Sequence, residues 1–167
     1  APTSSTTVQM AIGDALAICL MELRNFKDQD FAKFHPGGSI GKNLTAKVEQ
    51  FLSSQKPMVE ENSTIKDVIF SISSSKHGIT VVLENRTISG VITDGDLRRM
   101  LLKTDNIGGI LAKDIMSKNP KTIEKEALAK EALFILKQNN IGQLIVTENG
   151  NYFGIIDLHR LLDEGIN

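Results

Sequence analysis

The sequence predicts an α/β chain of the α+β kind: a helical leading segment, residues 1–45, followed by two small β-α-β-β-α units, 46–106 and 107–167. Three observations predict it. An uninterrupted apolar helical pattern opens the chain. The second half overlays the first at a shift of 64 positions without a gap. Within each half the apolar period changes from about 3.6 to 2 and back, as helix gives way to strands and strands to helix.

The leading segment reads as a helix from "TTVQMAIGDALAICLMEL", with Thr6 as N-cap and Gln9 closing a capping box. Its apolar residues, among them Val8, Met10, Ile12, Leu16, Ile18, Leu20 and Leu23, fall on nearly every face, so the helix is expected to be buried. Such a helix at the start of a chain without an initiator Met suggests a piece of a longer protein. Cys19, the single cysteine, is expected to be a small buried hydrophobe, and one cysteine can form neither an internal disulfide nor a cysteine zinc site. No apolar run is expected to reach the length of a membrane span, and no secretory leader is evident. With 19 basic residues against 20 acidic ones, the chain carries no charge footprint for nucleic acid or an anionic membrane. Basic pairs such as Arg98-Arg99 read as a solvated face. A soluble cytoplasmic protein is the resulting expectation.

The repeat sets Ser63–Thr93 over Ala127–Asp157, with identities that include Phe70/Phe134, Gly78/Gly142, Asn85/Asn149 and Gly90/Gly154. Ile65, Val68, Ile69 and Ile72 mark a helix face, as do Ala129, Ala132, Leu133 and Leu136. Apolar strands follow at Ile79–Leu83 and Leu144–Val146. Turns at Glu84-Asn85-Arg86 and Glu148-Asn149-Gly150-Asn151 lead to Ile88–Thr93 and Tyr152–Ile156 as hairpins. Closing helices run Asp94–Leu102 and Leu158–Asp163, and short extended lead-ins, "KPMVEEN" and "NPKTIEK", precede each unit.

The first unit closes with "GVITDGDLRRML", Gly90 to Leu101. Gly90-Val91-Ile92-Thr93-Asp94-Gly95-Asp96 matches a G-x-x-T-x-x-D pattern, and with the repeated element order it resembles the tandem cystathionine-β-synthase (CBS) domain pair. That resemblance implies an adenosine-type ligand, AMP or ATP, anchored by Thr93 and Asp96. The chemistry is reasonable: a hydroxyl at a strand end and a carboxylate three residues on can face one point, and a carboxylate accepts both vicinal hydroxyls of a ribose. Helix capping by the same aspartates is the competing reading. His77, before the first strand, is a further candidate for stacking on the base, against an ordinary surface histidine. In the second unit Asp157 and Arg160 replace Thr93 and Asp96. Arg has no acceptor for a hydroxyl, so no family-type ribose site is expected there; Arg160 is expected to pair with Asp157.

The stretch "FHPGGSIGKN" imitates a phosphate loop, but Pro36 and Asn43 stand where that motif needs Gly and Ser or Thr, and a helix precedes it rather than a strand. "APTSST" with "HPGG", ahead of a CBS pair, instead resembles the end of the sugar isomerase (SIS) domain of arabinose-5-phosphate isomerases. That resemblance implies a parent enzyme interconverting ribulose 5-phosphate and arabinose 5-phosphate on the route to the lipopolysaccharide sugar Kdo. It also implies His35 as a catalytic residue of the intact enzyme, with a pKa suited to proton transfer. Most of the SIS domain is missing, so this chain alone is expected to be inactive. The expected role is a regulatory and assembly region needing no cofactor, with a small-molecule effector and a homo-oligomeric state, dimer or tetramer. A purely structural oligomerisation module and a generic adenosine-nucleotide sensor are the alternatives. His35, His77 and His159 have no metal-ligand spacing.

Overall fold

The computed structural model describes residues 2–34, 39–104 and 106–167. It divides into two units, one ending at Thr45 and one running from Ala46 to Asn167.

The first unit holds α1 (Ser4–Leu23), α2 (Asp28–Phe34) and α3 (Ser39–Thr45). The N-cap of α1 is Thr3 rather than Thr6, and no side chain caps it; the Thr6 hydroxyl instead donates to the Thr3 carbonyl at 2.8 Å. None of its residues is buried, contrary to the expected burial, and Cys19 is exposed. The expectation about membrane spans is corrected as well. By length and composition this 20-residue helix, with an 18-residue stretch of mean hydropathy 1.3, is long and apolar enough to cross a membrane. Its two acidic residues, Asp14 and Glu22, do not lower that average enough to exclude it.

The second unit opens with a 3₁₀ turn (Val48–Phe51). It continues through β1 (Met58–Glu60), α4 (Ile65–Ser75), β2 (Ile79–Glu84), β3 (Thr87–Thr93) and α5 (Asp94–Leu101). The second copy follows as α6 (Ala112–Ile115), β4 (Ser117–Lys118), β5 (Thr122–Glu124), α7 (Ala129–Gln138), β6 (Gln143–Glu148), β7 (Asn151–Asp157) and α8 (Leu158–Asp163). Two sheets result, β1-β2-β3-β4 and β5-β6-β7. The repeat is kept in register: Met58 pairs Val81 as Thr122 pairs Ile145, and Ile79 pairs Thr93 as Gln143 pairs Asp157. Both hairpins slip at the same place, Val82/Leu83 and Val146/Thr147. Both turn through two residues of positive φ, Asn85-Arg86 and Asn149-Gly150, which matches the twist of the flanking strands.

The sheets face each other and the helices cover their outer sides. Alternation along β2 shows why. Ile79, Val81 and Leu83 pack with Ile145 and Ile155 of the other sheet, while Val82 points to Ile65, Val68 and Ile72 of α4. Thr80, on the helix side, is buried but satisfied by the Ser71 hydroxyl at 2.8 Å. Of the helix face read from sequence, Ile65, Val68 and Ile72 are core, whereas Ile69 is 39% exposed.

The lead-ins cross over. Ala46, Val48 and Phe51, ahead of the first copy, join the core of the second, and the Ala129 N–H donates to the Ala46 carbonyl at 2.8 Å. Ala112, ahead of the second copy, joins the core of the first, and its N–H donates to Ser63 at 2.9 Å. Each copy therefore completes its core with a segment that chain order assigns to the other.

Candidate ligand site

Gly90 begins the site because of what approaches it. A Cβ there would lie 2.7 Å from Met116 Sδ and 2.9 Å from the Ser117 carbonyl oxygen, so only glycine admits β4 alongside β3. Three residues on, Thr93 ends β3 in extended conformation and caps α5. Its hydroxyl accepts from the Asp96 N–H at 3.3 Å, while Asp96 Oδ2 accepts from the Thr93 N–H at 2.8 Å and from the Thr93 hydroxyl at 2.7 Å. Arg99 Nη2 donates to Asp96 Oδ1 at 2.5 Å. Burial pushes the Asp96 carboxyl up, but the Thr93 hydroxyl, the Thr93 N–H and Arg99 together hold it below its ordinary value. The capping role weighed from sequence is thus formed. It leaves acceptor capacity at Oδ1, which takes one bond where a carboxylate oxygen can take two.

Thr93 and Asp96 stand on the wall of a cleft of about 550 Å³, within the range of small-molecule sites. Ile79 and Val91 form its apolar floor with Ile145. Residues 117–121 and the loop of Asn139 to Gly142 close the opposite side, so the cleft lies between the two copies and is built from both. Arg99, Lys118 and Lys121 bring positive charge to it. These three were not singled out from sequence. Arg99 sits in a pair read as a solvated face, and Lys118 reaches the cleft only because β4 pairs with Gly90.

The structure does not bring His77 to this cleft. It is half-buried, with Nε2 2.5 Å from the Ser53 hydroxyl, and the position that lines the cleft is its repeat counterpart Ile141. The pairing expected between Asp157 and Arg160 does not form. Asp157 Oδ1 accepts from the His159 N–H at 2.8 Å and Oδ2 from Gln143 Nε2 at 3.0 Å, so the helix cap and the neighbouring strand take the carboxylate. Arg160 is exposed and makes no side-chain hydrogen bond or ion pair among the described residues. His35 lies outside the described residues.

Two β-α-β-β-α copies with exchanged lead-ins, facing across their sheets and enclosing a cleft at the T-x-x-D turn, define a CBS pair. The chain belongs to the CBS domain family, whose profile matches residues 48–103 and 112–167. Among curated proteins it is 42% identical over 165 residues to an arabinose 5-phosphate isomerase KdsD of Francisella tularensis, covering 97% of this chain and 50% of that protein. It is 39% identical to the KdsD of Pseudomonas aeruginosa, covering 99% and 52%. The chain spans about half the length of the curated relatives it matches. Among solved structures, a signal-transduction protein with CBS domains from Burkholderia ambifaria aligns with a TM-score of 0.63 at 20% identity, over 71% of this chain and 93% of that one. A CBS domain protein from Pyrobaculum aerophilum, complexed with AMP, aligns with a TM-score of 0.62 at 19% identity, over 69% and 89%.

Proposed function

We propose that this chain is the regulatory and assembly region of an arabinose-5-phosphate isomerase, and that its CBS pair takes an adenosine nucleotide, AMP or ATP, in the Thr93–Asp96 cleft. The match to such isomerases along 97% of the chain carries the first half. The cleft supports the second. It pairs a spare carboxylate acceptor with an apolar floor and three cations, which suits ribose, base and phosphate respectively. The AMP complex of a relative in fold points the same way.

On this reading the parent enzyme interconverts ribulose 5-phosphate and arabinose 5-phosphate for Kdo and lipopolysaccharide synthesis in the cytoplasm. A proton moves between adjacent carbons through an enediol, with His35 as a residue of that site. This chain alone lacks the rest of the positioning groups and is inactive. The exposed apolar sides of α1 are covered by the remainder of the SIS domain rather than by lipid.

Calorimetric titration of the 167-residue chain with AMP, ATP and CMP-Kdo tests the ligand reading. Heat from AMP or ATP that disappears in Asp96→Ala supports it. Folded protein giving no heat with any of the three leaves assembly as the function. A specific observation favours assembly as a parallel role: the repeat-equivalent Phe70 and Phe134 are 75% and 64% exposed on α4 and α7. Sedimentation should show a homo-oligomer that Phe70→Glu with Phe134→Glu dissociates. Ile65, 1% exposed, belongs to the core and cannot serve as such a contact.

A further inference from the structure

The charges facing the cleft do not balance. Arg99, Lys118 and Lys121 line it against the single carboxylate of Asp96. Lys118 and Lys121 are exposed and have no ion pair among the described residues. Asp96 does not depend on Arg99 for its satisfaction, since Oδ2 already accepts from the Thr93 N–H and hydroxyl at 2.8 and 2.7 Å. The partners also differ in freedom: the Arg99 side chain is 65% exposed and that of Asp96 9%.

Arg99 lies back along the first turn of α5, close to Gly95. A Cβ on Gly95 would stand 3.3 Å from Arg99 Nη1. The guanidinium also borders a second cavity, of about 440 Å³, on the side of Lys103, Thr104 and Gly109. It therefore stands between two openings, with room on either side.

We infer that the Asp96–Arg99 pair is an exchange lock: a ligand phosphate draws Arg99 off Asp96, and Oδ1 then accepts both vicinal ribose hydroxyls instead of one. The inference rests on the nucleotide reading of the cleft and specifies how it is used. A guanidinium binds phosphate through two parallel N–H bonds, a stronger match than one bond to an already satisfied carboxylate. The Arg99 end of the pair is open to water and Thr93 keeps Oδ2 satisfied, so releasing it lowers affinity only about two- to fivefold. Phosphate and ribose recognition are then coupled. Adenosine, having no phosphate, meets Oδ1 with one of its two acceptor positions still held by Arg99.

The test is calorimetry of the full chain and of Arg99→Ala with adenosine, AMP and ATP. Arg99→Ala should weaken AMP and ATP about 10- to 100-fold, the loss of a charge-assisted bond. The same change should tighten adenosine about two- to fivefold, and adenosine left unaffected would speak for a plain phosphate contact and against the lock. Arg99→Ala weakening adenosine and AMP in equal proportion, or leaving AMP unchanged, would overturn the lock while the nucleotide reading stood. Wild-type chain binding no AMP or ATP would overturn both. Circular dichroism of the variant establishes that the fold is intact.

Discussion

Replacing Gly90 by alanine should destabilise the chain, while the same change at Gly154, its repeat counterpart, should not. At Gly90 the added methyl meets Met116 Sδ at 2.7 Å, Met116 Cγ at 2.9 Å and the Ser117 carbonyl at 2.9 Å. The methionine can swing away. The carbonyl belongs to the β4 backbone and must retreat by roughly half an ångström to reach ordinary contact. β4 is only two residues long and is held by the Gly90–Lys118 and Val91–Ser117 pairs, so it is what gives way. Overpacking costs about 1–3 kcal/mol and a lost ladder bond about 0.5–1.5. Alanine returns about 0.4–1 kcal/mol by restricting the unfolded chain. The net expectation is a loss of about 1–3 kcal/mol. At Gly154 the nearest atom is the Leu52 Cδ2 methyl at 3.3 Å, the end of a flexible side chain, so the net effect should lie within about 0.5 kcal/mol of zero. Urea unfolding at pH 7 measures both. Tyr152 is the sole intrinsic fluorophore of use, the chain having one tyrosine and no tryptophan, and its hydroxyl donates to Pro57 at 3.2 Å. Gly154→Ala proving as damaging as Gly90→Ala would refute the argument from close approach. Because β4 carries Lys118 into the cleft, Gly90→Ala should also weaken AMP binding severalfold.

Arg86 holds φ +71 where the second hairpin has Gly150, so Arg86→Gly should stabilise by about 0.5–1 kcal/mol, read as a raised urea midpoint. Asp96→Asn should cost about 1–3 kcal/mol at pH 7 through weaker bonds to Thr93 and Arg99. Since the folded carboxyl titrates below its ordinary value, its contribution is present above about pH 4 and lost as pH falls through the folded pKa. The gap between variant and wild type should therefore narrow in acid, and a gap constant from pH 7 to pH 3 would refute it. Burial raises the Tyr152 phenol above its ordinary value, so the 295 nm phenolate band of the folded chain should appear well above pH 10. Stability should hold below about pH 10 and decline above it, where only the unfolded tyrosine ionises. A phenolate band at pH 10 in folded protein would count against the burial.

The fold was legible where local chemistry and packing agree. Asn149-Gly150 announces a two-residue hairpin, and the shift of 64 carries the same turn onto Asn85-Arg86, where the local sequence alone is weaker. Thr93 and Asp96 were legible as one turn, since a capping box and a ribose anchor need the same spacing. What escaped was long-range. Nothing near Ala46 says that it pairs with Ala129, and nothing near Lys118 says that it faces Thr93. The burial expected for α1 failed because an apolar periodicity reports that a helix needs cover, while the covering surface lies elsewhere in the chain or outside it.

The two copies also show which positions the architecture holds fixed. Strand registers, the hairpin slip and the bridges Lys47–Leu128 and Thr64–Leu111 all repeat at the same shift, each serving the packing of sheet on sheet or lead-in on core. The correspondence breaks at the cleft. Thr93, Asp96 and Arg99 give way to Asp157, Arg160 and Asp163, which reverses the order of charge along the helix, and Ile141 stands against His77. Backbone geometry tolerates either set, because Thr93 and Asp157 both cap the helix that follows. Chemistry does not. Only the first copy sets a buried carboxylate beneath a displaceable guanidinium, so exchange of the Arg99 partner is confined to one cleft of the pair. Asp163→Ala should accordingly leave AMP binding unchanged, and an AMP affinity that fell with Asp163→Ala as it does with Arg99→Ala would place the ligand on the wrong side of the molecule.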